Sequence, residues 1–378
     1  MPVKDDFAKS FGKGRISGYL SIFFGALSFL AVLCFLYPSY LTFPDLRKAY
    51  PIPVIRLVLM LSLIVSFMLA LVSFLLSRRT RLALTGVLFS GLAILMGGWN
   101  VQAGEIHETP FPIGLDWLIL DLVMLAVIFI PIEAIFPQRI NQKTLHEEWK
   151  TDLAYFVISH LLVQVFGLIT QAPATLLFGG LGLNGFHATV QALPFLVQLS
   201  LAVLLTDVAQ YAAHRAFHEV EALWRIHSIH HSTTAMDWLA GSRTHFVDIF
   251  VTRSISFVPV YLLGVTPAVF AVYIVFISFH AVFIHANVNW RFGPLKYVLS
   301  TPQFHHWHHA DEPTAYNTNY AVFFPFIDKL FGTYYMPGDK WPAKYGVSMP
   351  NYPKGFIPQL AWPFRAEGRA RAAGAQRG

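Results

Sequence analysis

Eight histidines fall into three short clusters: His214 and His218 in HRAFH, His227, His230 and His231 in HSIHH, and His305, His308 and His309 in HHWHH. Imidazole is the commonest metal-binding side chain at neutral pH. Residues three and four apart share a helix face, so each cluster can turn two or three rings toward one point. One ion rarely takes eight ligands, and two ions sharing them, with positions left open, is the reading the count favours. His285, in HANV at the end of the last apolar run, can supply a ninth ligand. His107, His146, His160 and His187 stand alone and read as hydrogen-bonded core or surface residues, and the same bland role is favoured for His245 and His280; His306 is left unassigned. No Glu-x-x-His pairs of the soluble di-iron type occur, and Glu219 after His218 does not continue into the HExxH of zinc proteases.

Asp207 lies seven residues before His214, two helical turns earlier on the same face. It reads either as a carboxylate that fixes an imidazole tautomer or as a polar residue lining the helix. Asp237 and Asp248, in the polar stretch after HSIHH, are weaker versions of the same idea.

The elements that must carry these residues are set by composition. The chain has 378 residues, of which 55% are hydrophobic and 13% charged, and its mean hydropathy is +0.52. These values lie outside the range of soluble domains and read as a multi-pass membrane protein. One cysteine, Cys34, excludes an intrachain disulfide and any cysteine-based metal site. The net charge of +6 is spread over loops and the C-terminal tail, which fits anionic lipid headgroups and not nucleic acid.

Apolar runs near 17–37, 54–77, 82–99 and 114–136 have the length of bilayer-spanning helices. Further stretches near 152–178, 193–213 and 246–288 are punctuated by Pro173, Pro194, Pro259 and Pro267, the last stretch reading as a helical hairpin turning between Gly264 and Pro267. The expectation is an all-α bundle with about eight membrane crossings and a histidine-rich helical cap. The first run, preceded by Lys4, Lys9, Lys13 and Arg15, reads as a retained anchor. Those basic residues, the Arg78, Arg79, Arg81 loop and the Arg139 to Lys150 loop are expected in the cytoplasm; the loop with Glu105, His107 and Glu108 is expected opposite. All three clusters and both termini then fall on the cytoplasmic side, with Arg47 and Lys48 as the exceptions. Trp224, Trp238, Trp290 and Trp307 read either as a cavity lining or as interfacial anchors.

HRAFH, HSIHH, FIHANV and TPQFHHWHH followed by NTNYAVFFPFIDKLFGTYY together closely resemble the fatty acid hydroxylase and sterol desaturase superfamily of membrane di-iron oxygenases. The resemblance covers roughly residues 130–337, including PIEAIFP and EWKTDLAYF. It implies that the eight clustered histidines, with His285, ligate two iron ions, for which zinc can substitute in purified protein. It also implies O2-dependent hydroxylation or desaturation of a lipid, most readily a sterol, a related isoprenoid or a fatty-acyl chain. Three regions follow: 1–130 as an N-terminal membrane region of unassigned role, 131–340 as the family domain, and 341–378 as a basic tail.

Such chemistry needs electrons, and the chain has no dinucleotide fingerprint, iron–sulfur cysteines or c-type haem motif. A separate donor of the ferredoxin, rubredoxin or cytochrome b5 type is implied. Arg365, Arg369, Arg371 and Arg377 in the tail read as a membrane-surface patch or a landing site for an acidic donor. A metal transporter would place its ligands at mid-bilayer, and a haem carrier needs only two axial histidines. A family member without catalysis, acting as a lipid-binding or scaffolding protein, is the main alternative.

Overall fold

In the computed structural model, residues 14–77, 80–107, 109, 112–349 and 351–365 are described. Lys4, Lys9, Lys13, Arg78, Arg79, Glu108, Arg369, Arg371 and Arg377 lie outside them. The described residues are helical with no strand, only isolated bridges at Pro137–Val288 and Ala310–Tyr345.

The chain divides into two compact units. The first runs to Met124 and includes 160–164. It is built on α1 (Arg15–Leu36), α2 (Ile52–Ser77) and α3 (Thr80–Leu95). Small polar residues let these helices approach closely: Ser21 and Ser66 each donate to the other's carbonyl at 2.8 Å. A Cβ on Gly86 would lie 2.0 Å from the Ser21 hydroxyl, so only glycine fits there.

The second unit covers 125–159 and 165–378 and contains every clustered histidine. α4 (Leu115–Ile135) leads into it, followed by α5 (Trp149–Leu161), α6 (Val163–Phe178) and α7 (Asn184–Gln191). The long α8 (Phe195–Glu219) continues into α9 (Glu221–His231) after a break at Val220. α10 (Phe246–Leu263) and α11 (Pro267–His285) form the expected hairpin, ended by Gly264 in the left-handed region (φ 59°) and restarted by Thr266 as N-cap. α12 (Pro302–His308) and α13 (Pro325–Phe331) complete the cap.

Among the described residues, seven helices are long and apolar enough to cross a membrane: α1, α2, α4, α8, α10, α11 and the stretch Thr80–Asn100. The expected eighth crossing, near 152–178, is instead two short helices broken at Leu162. Its polar start explains why: buried Asp152 near the N-terminus of α5 is committed to an ion pair with Arg243, outside any apolar span. At the other end, Gln191 of α7 donates to the Gly264 carbonyl at the α10–α11 turn. The path from α5 to α7 thus runs from the histidine end of the unit to the opposite end without one continuous helix.

One carboxylate pins the histidine end together. Glu133, near the end of α4, accepts from the amides of Trp238 (2.7 Å) and Asn287 (3.0 Å), the latter two residues past His285.

Candidate metal centre

HRAFH stays together, whereas HSIHH and HHWHH are each divided between two groups. His214 and His218 on α8, His227 and His231 on α9, and His308 on α12 form one group; His230, His285, His305 and His309 form a second. In each group the candidate ligand atoms lie within 4.8 Å of one another. All nine rings are buried. The groups touch, with the His231 and His309 rings stacked at 4.4 Å.

The outer ring nitrogens fix the tautomers. A carbonyl only accepts, so a ring nitrogen bonded to one must carry the proton. His214 donates through Nδ1 to the Tyr320 carbonyl (2.8 Å), and His308 to that of Thr318 (2.8 Å). His230 donates to Arg243 (3.2 Å), and His285 to Ala281 (2.6 Å). His227 Nδ1 lies 2.6 Å from the Asp248 carboxylate. In the four neutral rings held by carbonyls Nε2 is therefore left as a bare lone pair.

Two pairs of Nε2 atoms face each other: His214 and His227 at 3.1 Å, and His230 and His285 at 3.2 Å. The His230–His285 contact cannot be a hydrogen bond, because both rings spend their one proton on a carbonyl through Nδ1. Two nitrogens about 2.1 Å from a shared ion, at tetrahedral to right angles, stand about 3.0–3.4 Å apart. The His231 and His308 Nε2 atoms are buried with no hydrogen-bond partner, as donors reserved for an ion would be. The residues present therefore fit a metal in each group.

Burial, reinforced by neighbouring imidazoles, holds His230, His231, His305, His308 and His309 well below the usual imidazole pKa. They are neutral at pH 7, the form that binds metal.

The supporting residues differ from the sequence expectation. Asp207 touches no imidazole; its carboxylate accepts from the amides of Val322, Phe323 and Phe324 at 2.7–3.1 Å. It carries the segment whose Tyr320 carbonyl holds His214, and so acts one step further out. Asp248 has the role foreseen for Asp207. Asp237 caps the turn at Leu239 and Ala240 and lies 3.4 Å from His146.

His306 faces away from both groups, bonding Tyr345 Oη and the His285 carbonyl. His245 caps α10, and His280 bonds the Val322 carbonyl. His107 and His160 pair with Glu105 and Asp121, and the His187 ring fills the space where Gly264 has no Cβ. Trp224 packs against His218 and His231, whereas Trp238 and Trp307 are core residues and Trp290 is more exposed.

Two supporting residues carried no sequence signal. Arg243 is fully buried, its guanidinium bonded to Asp152 (2.5 Å) and Glu148 (2.8 Å) while its carbonyl holds His230. Gly241 brings the loop against His285: a Cβ there would sit 2.8 Å from Nδ1.

Fold and site together define a membrane-embedded helical protein with a buried all-imidazole centre. Residues 199–333, about a third of the chain, match the model of the fatty acid hydroxylase family. It is similar to the ornithine lipid hydroxylase OlsE of Rhizobium tropici, 29% identical over 304 residues, which cover 79% of this chain and 89% of that protein. Similarity to an alkylglycerol monooxygenase of Danio rerio is 35% over 150 residues, 40% of this chain and 33% of that protein. A very-long-chain aldehyde decarbonylase of Oryza sativa subsp. indica is 31% identical over 134 residues, 32% of this chain and 21% of that protein. This chain thus spans about a third or less of the latter two relatives. No solved structure matches.

Proposed function

We propose that the protein is a membrane lipid hydroxylase whose nine buried histidines hold two iron ions, five rings on one and four on the other. The observation that carries the reading is the facing of the proton-free Nε2 atoms of His230 and His285, with both Nδ1 protons already engaged by carbonyls. Bound there, the iron pair supplies activation of dioxygen and oxidation of a C–H bond. The reaction balances as R–H + O2 + 2 electrons + 2 H⁺ → R–OH + H2O, with the electrons delivered by a separate ferredoxin, rubredoxin or cytochrome b5 type protein.

The chain's own residues do the positioning. Backbone carbonyls of Tyr320, Thr318, Arg243 and Ala281 and the Asp248 carboxylate hold the rings in their metal-binding tautomer. Burial of the groups keeps bulk water away from the reacting carbon. The relatives named for ornithine lipid and alkylglycerol favour a lipid with an acyl or alkyl chain over a sterol, and hydroxylation over desaturation. Residues 131–340 form the oxygenase domain, 1–130 an additional membrane region and 341–378 a basic tail, with the histidine groups and both termini facing the cytoplasm.

The test is comparative lipid mass spectrometry on cells expressing the intact protein or its His230→Ala variant, supplied with a compatible donor. A lipid gaining one oxygen only with the intact protein supports the proposal. No difference with a donor shown to be functional refutes it and favours a lipid-binding family member without catalysis.

A further inference from the structure

A cation in a membrane-spanning helix has no partner among the described residues. Arg253 is the eighth residue of α10, about 10 Å along the axis from the end that meets the histidines. It is exposed, and it forms no hydrogen bond or ion pair among the described residues. Three residues on, the Ser256 hydroxyl is buried without a partner. Positions three apart share a helix face, so one flank of α10 carries two unsatisfied polar groups in an otherwise apolar stretch.

Phe257, four residues from Arg253, meets Phe270 of α11 with ring centroids 6.3 Å apart. At the histidine end α10 brings Asp248 to His227, and α11 ends in His285.

An unpaired guanidinium among membrane helices is expensive and marks a site whose partner comes from elsewhere. That partner has to be anionic and reach α10 from the lipid phase. We propose that Arg253 and Ser256 bind the anionic headgroup of a membrane lipid lying along α10. Anchoring the headgroup there fixes which chain carbon reaches the histidine groups; only this last consequence rests on the lipid hydroxylase reading.

The full chain is placed in nanodiscs of equal parts dioleoyl phosphatidylcholine and dioleoyl phosphatidylglycerol, and retained lipid is counted by native mass spectrometry. Intact protein should retain phosphatidylglycerol in preference. Arg253→Gln should lower that preference about tenfold and Ser256→Ala about fivefold, with Arg253→Lys in between. Arg291→Gln, at an exposed cation near the ends of α4 and α11, should leave it unchanged. Equal retention by intact protein and Arg253→Gln overturns the proposal, as does an equal loss in Arg291→Gln, which assigns the preference to general surface charge. Thermal unfolding of Arg253→Gln should be unchanged or shifted upward, since no internal contact is lost; a lowered midpoint in both Arg253 variants overturns it in favour of a structural role. The assay needs neither iron nor electrons, so its failure and failure of the hydroxylase reading are separable.

Discussion

The two histidine groups draw on the same kind of ring but are braced differently. In the first, His227 leans on the Asp248 carboxylate, and His214 and His308 lean on carbonyls. In the second, His230 and His285 lean only on carbonyls, and the Nδ1 atoms of His305 and His309 are buried without a partner. A carboxylate raises the basicity of the imidazole it holds more than a neutral carbonyl does. Ligand spacing makes the groups alike, and the residues behind the ligands make them unequal. The second group is also tied, through the Arg243 carbonyl, to an ion-pair network reaching Asp152 and Glu148 on and beside α5.

Removing a ring should break both groups. His308→Ala and His230→Ala each abolish lipid oxidation, a loss larger than the 10–100-fold typical of an outer partner, while membrane insertion persists; iron measured by plasma mass spectrometry should fall in each. Asp248→Asn touches the first group alone and should lower turnover about 10–100-fold with metal largely retained. Equal sensitivity to a brace on the second group would erase the asymmetry. Gly241→Ala, which drives a methyl into His285, should lower activity about tenfold and reduce metal content toward one ion per chain.

The smallest expected effect is on stability. Burial disfavours charge on His146, but Asp152 at 3.1 Å and Asp237 at 3.4 Å outweigh it and push its pKa up to about 9. The folded state binds this proton more tightly than the unfolded chain, so the stabilisation is complete below about 6.5 and is lost as pH rises through about 9. Thermal unfolding of the full chain should show about 1–3 kcal/mol lost over that window. His146→Gln should flatten that dependence.

Spacing and cluster composition picked out the nine histidines that the structure brings close together, but not their grouping, since His230 parts from His227 and His231, and His308 from His305 and His309. Asp207 and Asp248 were ranked in the wrong order. Spacing placed Asp207 on the His214 face, but that face also meets Val322–Phe324, a segment more than a hundred residues away whose amides claim the carboxylate. Arg243 and Gly241 act through a carbonyl and a missing methyl, and neither has a signature in a single sequence. The broken crossing at α5 and α6 was hidden because apolar content across 152–178 does not reveal that Asp152 is anchored outside the apolar span.

The close nitrogen pairs of His214–His227 and His230–His285 have a consequence for the life of the protein in a cell. An ion binding between them favours the closed cap over every conformation that separates the rings, so metal supply and folding are coupled. The steady-state amount of this protein in the membrane should follow iron availability, with the newly made, iron-starved chain the form that proteases remove first.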